Sequence, residues 1–148
     1  MVDGQSSGPG AKAISNIVTR KVIALLAEGV RDGAAARAAS DTLFTERRGK
    51  VSATLNILSA DLQSFSLVIT RINPTALYII EGNLIKSLSV TSVPIGIYRN
   101  TRPTITEIPL SSGLLVVAFT DGIIHAGSRN GFPLNLEDCL EDLLITEN

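Results

Sequence analysis

The chain opens with VDGQSSG at residues 2–8, and a second aspartate–glycine pair lies far downstream in AFTDG at residues 118–122. Each aspartate follows a short apolar stretch and precedes a glycine, so we expect both in turns at strand ends. Such an aspartate points its carboxylate into a cleft, and the glycine leaves a backbone carbonyl accessible because it has no Cβ. These are the oxygen ligands that hard divalent cations prefer. The two pairs therefore indicate a cation site.

The composition restricts the class of protein. With 148 residues the chain can form one domain with a hydrophobic core. A formal charge of −1 and 18% charged residues argue against nucleic-acid or membrane binding through electrostatics alone. The longest apolar run, residues 114–119, is far shorter than the roughly 18 residues of a membrane span, and we expect no secretory signal. The single cysteine, Cys139, excludes an intrachain disulfide, so we expect a cytoplasmic location.

Two helices are predicted in the first third of the chain. The first starts after residues 9–10, stops near residue 29 and carries one apolar stripe. The stripe consists of Ile14, Ile17, Val18, Val22, Leu25 and Leu26. The second begins with Asp32 as its N-cap and presents a face of mostly small residues. That face consists of Ala34, Ala35, Ala38, Ala39, Thr42 and Leu43. We expect both helices to lie on one sheet.

From residue 51 the pattern changes to short segments rich in β-branched residues. Strands are predicted at residues 53–59, 65–71, 76–80, 84–88, 104–110 and 114–120. The turns between them are short, so successive strands should be antiparallel neighbours. A last helix is predicted from Asn135, its N-cap, with an apolar stripe. The stripe consists of Leu136, Cys139, Leu140, Leu143 and Leu144. The order of elements predicts an α+β sandwich formed by a single domain over residues 1–148.

Five motifs resemble, in the same order, those of the SpoIIE-type branch of the protein phosphatase 2C superfamily, which is metal-dependent and acts on serine and threonine phosphates. They are residues 2–8 (VDGQSSG), 48–55 (RGKVSATL), 72–80 (INPTALYII), 92–97 (SVPIGI) and 120–122 (TDG). The series covers about residues 2–127 and is more specific than any one motif. The resemblance implies an αββα sandwich of the protein phosphatase 2C type, incomplete at both chain ends. It is greatest for short single-domain members that act in stress signalling.

The resemblance also implies a reaction and its ligands. Family members dephosphorylate a small regulatory protein, such as a STAS-type anti-sigma-factor antagonist, in bacterial signalling. Carried over to this sequence, Asp3 bridges two metal ions, Gly4 offers its main-chain carbonyl and Asp121 binds one ion. Asp3 and Asp121 are thereby the catalytic residues. Mn²⁺ or Mg²⁺ suits such oxygen ligation. We expect Asp3 and Asp121 to lie within about 8 Å of each other, the span of two ligands around a dinuclear centre.

Several other residues have competing interpretations. His125 could assist as an acid, although a surface or structural histidine is the favoured interpretation. Cys139 is interpreted as a core residue. Arg48 lies in a basic, solvated turn, and phosphate docking is the less favoured alternative. Three carboxylates of the last helix are expected on its solvated face, and a role as further acidic residues of the metal site is the less favoured alternative. They are Asp138, Glu141 and Asp142. The alternative function is a non-catalytic interaction module that keeps the phosphatase fold.

Overall fold

A computed structural model describes residues 1–5 and 7–146. The strands are β1 (Val2–Gly4), β2 (Ala53–Asp61), β3 (Ser66–Ile72), β4 (Leu77–Glu81), β5 (Leu84–Leu88), β6 (Thr104–Pro109) and β7 (Leu115–Val117). The helices are α1 (Gly8–Ala27), α2 (Asp32–Arg47), α3 (Asp121–Ile124) and α4 (Leu136–Thr146), with a 3₁₀ turn at Ser128–Asn130. Mixed helices and antiparallel sheets confirm the α+β class.

The chain separates into two compact units. The first unit contains Met1–Pro74 and Val90–Ser111, and the second contains Thr75–Ser89 and the chain from Ser112 onward. That residues 1–148 act as a single domain stays a prediction.

The first unit is a four-stranded antiparallel sheet covered by α1 and α2. Its strand order is β1-β2-β3-β6. The predicted stripe of α1 is confirmed, because Ile14, Val18 and Val22 are buried against the sheet. The helix begins at Gly8, three residues earlier than predicted, since Pro9 is accommodated in its first turn. Both helices therefore lie on one sheet, as expected.

The predicted packing face of α2 is confirmed at Ala35, Ala39 and Leu43 but was wrong at Ala34. Its buried residues are Ala35, Ala36, Ala39, Ser40 and Leu43. Ala34, which we placed on that face, is exposed. The helix is rich in small residues on several sides, so size and hydrophobicity do not separate one alanine from the next. The N-cap is Arg31 rather than Asp32, which is the first helical residue.

The second unit is a three-stranded antiparallel sheet in the order β5-β4-β7, with α4 packed against it. Its buried core consists of Tyr78, Ile80, Phe119 and Leu140. Helix α4 begins one residue after Asn135 and confirms the predicted last helix. Its predicted stripe was wrong at Leu143, which is 61% exposed.

Among the strands predicted from residue 51 onward, successive strands pair as predicted only where a hairpin joins them. Strands β2 and β3 pair, and so do β4 and β5. However, β3 also pairs with β6, and β4 with β7. The prediction that all successive strands are neighbours was therefore wrong. The last predicted strand, residues 114–120, shortens to Leu115–Val117.

The SVPIGI segment, residues 92–97, forms hydrogen bonds with both α2 and the start of β2. Ile95 is fully buried and exchanges two backbone hydrogen bonds with Ala53, at 3.0 and 3.2 Å. The Gly96 N–H donates to the Ser40 Oγ at 3.3 Å. Gly96 has a φ of +88°, and a Cβ there would lie 2.7 Å from the backbone oxygen of Val51. Only glycine fits this position without strain, which explains why the motif has a glycine there.

Candidate metal centre

Asp3 lies in the middle of β1, not in a turn as we predicted. It pairs with Thr54 in the antiparallel register of β1 and β2. Val2 packs against the core beneath the helices. Because side chains alternate along a strand, Asp3 lies on the opposite face of this sheet. Asp3 is half-buried. The strand thus fixes the backbone on both sides of this carboxylate.

Gly4 is buried where β1 meets α1. Its N–H donates to the Ser15 Oγ at 2.9 Å. A Cβ at Gly4 would clash with the backbone oxygen of Ala11 and would lie 3.1 Å from both the Ile14 Cβ and the Ser15 Oγ. The glycine is therefore needed for close packing against the helix, in addition to any use of its carbonyl. Ser15 was not identified from the sequence, since an isolated helical serine carries no distinguishing signal.

The residue after Gly4 ties the end of β1 to the segment before β2. Gln5 donates its N–H to the Ser52 carbonyl at 2.8 Å. Its Oε1 accepts from the Ser52 N–H at 3.1 Å and from the Ser52 Oγ at 3.0 Å. The VDGQ and RGKVSATL motifs are thereby held together by three hydrogen bonds. These hydrogen bonds restrict the Asp3–Gly4 segment at its C-terminal end.

Asp121 is the first residue of the short helix α3, with Thr120 as its N-cap. The prediction of a turn at a strand end was wrong, because β7 ends at Val117, before Asp121. The Asp121 side chain is exposed, and its backbone carbonyl accepts from the His125 N–H at 3.1 Å. Its carboxylate is therefore accessible at a helix start.

The donor atoms fit a hard cation in type. Two carboxylates and one carbonyl are oxygen donors of the kind Mn²⁺ and Mg²⁺ take, and Mg²⁺ is usually held by one or two carboxylates with water in its remaining octahedral positions. Over residues 1–5 and 7–146, no three His, Cys, Asp or Glu side chains form a group that could hold a metal ion. Asp3 lies in the first unit and Asp121 in the second, so their proximity stays a prediction.

The other candidates are placed as follows. His125 is exposed at the end of α3, and Arg48 is exposed in a left-handed conformation at the end of α2. Both positions agree with the favoured surface interpretations. Cys139 is a free, half-buried thiol rather than a fully buried core residue. The solvated face of α4 is confirmed, because the three carboxylates that we placed on it are exposed. These are Asp138, Glu141 and Asp142.

The structure also contains a buried polar cluster that the sequence analysis missed. Arg71 is only 2% exposed. Its Nε donates to the Asn56 Oδ1 at 3.2 Å and its Nη2 to the Asn73 carbonyl at 3.3 Å. Burial lowers the pKa of the Arg71 guanidinium below its usual range. The available signal was an arginine between the apolar middle of β3 and its last isoleucine. Asn56 and Arg71 are cross-strand partners on the same sheet face as Asp3.

Comparison with solved structures identifies the class of fold. The phosphatase 2C domain of SpoIIE from Bacillus subtilis, solved with a fragment of its regulatory domain, matches 99% of this chain and 47% of that chain, with a TM-score of 0.75 and 22% identity. A Stage II sporulation E family protein from Thermanaerovibrio acidaminovorans matches 85% of this chain and 76% of that chain, with a TM-score of 0.64 and 17% identity. The fold is therefore that of the protein phosphatase 2C domain.

A further solved relative is the catalytic domain of the serine/threonine phosphatase PstP in complex with two manganese ions. It matches 82% of this chain and 66% of that chain, with a TM-score of 0.64 and 15% identity. The model of the family "Stage II sporulation protein E (SpoIIE)" matches residues 1–147. The chain belongs to the SpoIIE family.

The chain is also similar to a curated protein. Stage II sporulation protein E of Bacillus subtilis (strain 168) is 24% identical over 123 residues, which cover 83% of this chain and 15% of that protein. The chain thus spans a small part of this relative and about half of the first solved structure. Within residues 1–5 and 7–146, no helix is both long and apolar enough to cross a membrane.

Proposed function

We propose that this chain carries the core of a metal-dependent protein serine/threonine phosphatase that acts on a small phosphorylated regulatory protein. The substrate is of the STAS-type anti-sigma-factor antagonist kind, and the reaction belongs to bacterial stress signalling in the cytoplasm. The metal is Mn²⁺ or Mg²⁺. The observation that carries the proposal is the family match over residues 1–147, with the Asp3–Gly4 pair held on β1.

The geometry around β1 supports a role for Asp3 as a ligand. The Gly4–Ser15 hydrogen bond fixes the strand against α1, and the Gln5–Ser52 hydrogen bonds fix its end. A carboxylate on such a restrained backbone loses little conformational entropy when it binds a cation. When bound, divalent ions neutralise phosphoryl oxygens and lower the pKa of a coordinated water. Asp3 and Asp121 supply oxygen donors for that purpose.

The proposal is tested by phosphate release from a serine-phosphorylated STAS-type protein in the presence of Mn²⁺. We expect release by the wild-type chain and a loss of at least about 100-fold in Asp3→Asn, because removal of a group supporting the metal already costs 10–100-fold. Asp138→Asn is the matched control, since Asp138 is an exposed carboxylate of α4. It should retain wild-type activity.

Two outcomes would count against the proposal. Equal rates for wild type and Asp3→Asn would remove Asp3 from the reaction. No release from any phosphoprotein, by a wild-type chain shown to be folded, would favour the alternative of a non-catalytic phosphatase-fold module. Pull-down of the unphosphorylated and phosphorylated regulator with equal strength would then support that module.

A further inference from the structure

A groove in the first unit is lined by cations above an apolar floor. It has a volume of about 440 Å³ and lies between the first turns of α2 and the start of β6. Arg31, Arg37 and Arg102 line it, and all three are exposed. The charged side chains of this lining, over the described residues, are all arginines. Their concentration contrasts with a net charge of −1 for the whole chain.

The floor of the groove is apolar and accessible. It contains Pro103 and Ile105, and the Ile105 side chain is 57% exposed. Gly33 allows this exposed isoleucine to lie against α2, because a Cβ at Gly33 would be 2.8 Å from the Ile105 Cδ1. Exposed isoleucine beside three cations fits a ligand that carries both negative charge and an apolar side chain.

We propose that this groove docks an acidic segment of the phosphoprotein substrate, at a distance from the phosphorylated residue. The identification of the partner rests on the proposed function. Charge complementarity argues for the acidic segment, since opposite potentials speed association and select partners. The exposed Ile105 argues for a peptide over a nucleic acid, because a peptide can place an apolar side chain on it. Arginine is also the cation best suited to paired hydrogen bonds with carboxylates.

The groove is separated from the candidate metal ligand in the same unit. Asp3 lies on β1 and Ile105 on β6, which are the two outer strands of the sheet. Three inter-strand steps of about 4.8 Å place the two strands about 14 Å apart. A segment bound in the groove would therefore contact residues other than those around Asp3. Docking and chemistry can be perturbed independently.

The direct test is fluorescence polarisation with a labelled peptide of alternating glutamate and leucine. We expect the triple variant Arg31→Ala/Arg37→Ala/Arg102→Ala to bind about tenfold more weakly, as expected for three exposed charge pairs. Its matched control, Arg20→Ala/Lys86→Ala/Arg129→Ala, removes the same charge from exposed positions outside the groove. This control should bind like wild type. Ile105→Ser should also weaken binding without changing its salt dependence.

The outcomes separate docking from activity. Three results would each overturn the docking proposal. The first is an equal loss of peptide affinity in the triple variant and its control, and the second is equal binding of a glutamine–leucine peptide. The third is that oligothymidylate competes for the groove more strongly than the acidic peptide does. With an active enzyme, the triple variant should raise KM for the phosphoprotein and leave hydrolysis of p-nitrophenyl phosphate unchanged. If no phosphate is released from any substrate, the proposed function fails, whereas the peptide measurement still decides whether the groove binds an acidic segment.

Discussion

The Gly4 N–H donates to the Ser15 Oγ at 2.9 Å, and this hydrogen bond joins the strand that carries Asp3 to the first long helix. Strand β1 is only three residues long and lies at a sheet edge. A short edge strand has few ladder hydrogen bonds of its own, so contacts with α1 contribute much of its positioning. The position of Asp3 therefore depends on how closely Gly4 packs against α1.

Gly4→Ala should destabilise the protein by about 1–3 kcal/mol, because the added methyl group overpacks the junction of β1 and α1. The matched control is Gly10→Ala, since Gly10 lies in α1 with no other group within 4 Å of a Cβ. That control should be neutral or slightly stabilising, as alanine favours helix. Urea unfolding measures both. A Gly4→Ala variant as stable as Gly10→Ala would contradict the packing.

Gly96→Ala tests the SVPIGI segment. Gly96 combines a φ of +88° with close approach to Leu43 and Val51. Gly29 has a similar φ of +82° but no neighbour within 4 Å. We expect Gly29→Ala to cost about 1–2 kcal/mol for the left-handed backbone alone. Gly96→Ala should cost about 1–3 kcal/mol more, because overpacking adds to that strain. Equal losses in thermal or urea unfolding would show that the contacts around Gly96 are unimportant.

Tyr78 links stability to pH in the second unit. Its hydroxyl donates to the Glu137 Oε1 at 3.2 Å, and the residue is 8% exposed. Burial, followed by the negative charge and hydrogen bond of Glu137, raises the pKa of Tyr78 above its usual 10.0, against a lowering by Ser87. Because its pKa is higher in the folded state than in the unfolded state, neutral Tyr78 stabilises the fold fully below about pH 10. This stabilisation is lost as the pH rises through the pKa of Tyr78 in the folded state.

Tyr78→Phe should therefore cost about 1 kcal/mol near pH 7, and the difference from wild type should shrink above pH 10. Urea unfolding across this range provides the measurement. Tyr98→Phe is the control, because Tyr98 is 61% exposed. This control should leave the free energy of unfolding near pH 7 almost unchanged. A difference between wild type and Tyr78→Phe that grows with rising pH would contradict the assigned direction.

Local periodicity predicted much of the fold. The apolar residues of α1 recur every three or four positions, and the buried set Ile14, Val18 and Val22 follows that period. The face of α2 could not be predicted as well, because Ala34 and Ala36 are chemically identical and only tertiary packing buries one of them. Pairings such as β3 with β6 bring distant segments together, and short turns carry no information about them.

The candidate site was predicted in its residues but not in its local structure. The motifs identified Asp3, Gly4 and Asp121, yet Asp3 lies within a strand and Asp121 begins a helix. A short edge strand leaves little sequence pattern, since three residues cannot show alternation over several positions. The buried Arg71 was missed because charge in a strand favours an exposed position unless its partners are known.

We propose that Asp3 and Asp121 bind the same metal centre, and calorimetric titration with Mn²⁺ tests this proposal most directly. We expect Asp3→Asn and Asp121→Asn each to weaken Mn²⁺ binding at least about tenfold. The double variant should lose less than the sum of the two effects, because ligands of one centre are coupled. Asp138→Asn should bind like wild type. Additive losses, or binding unchanged in either single variant, would contradict a shared centre.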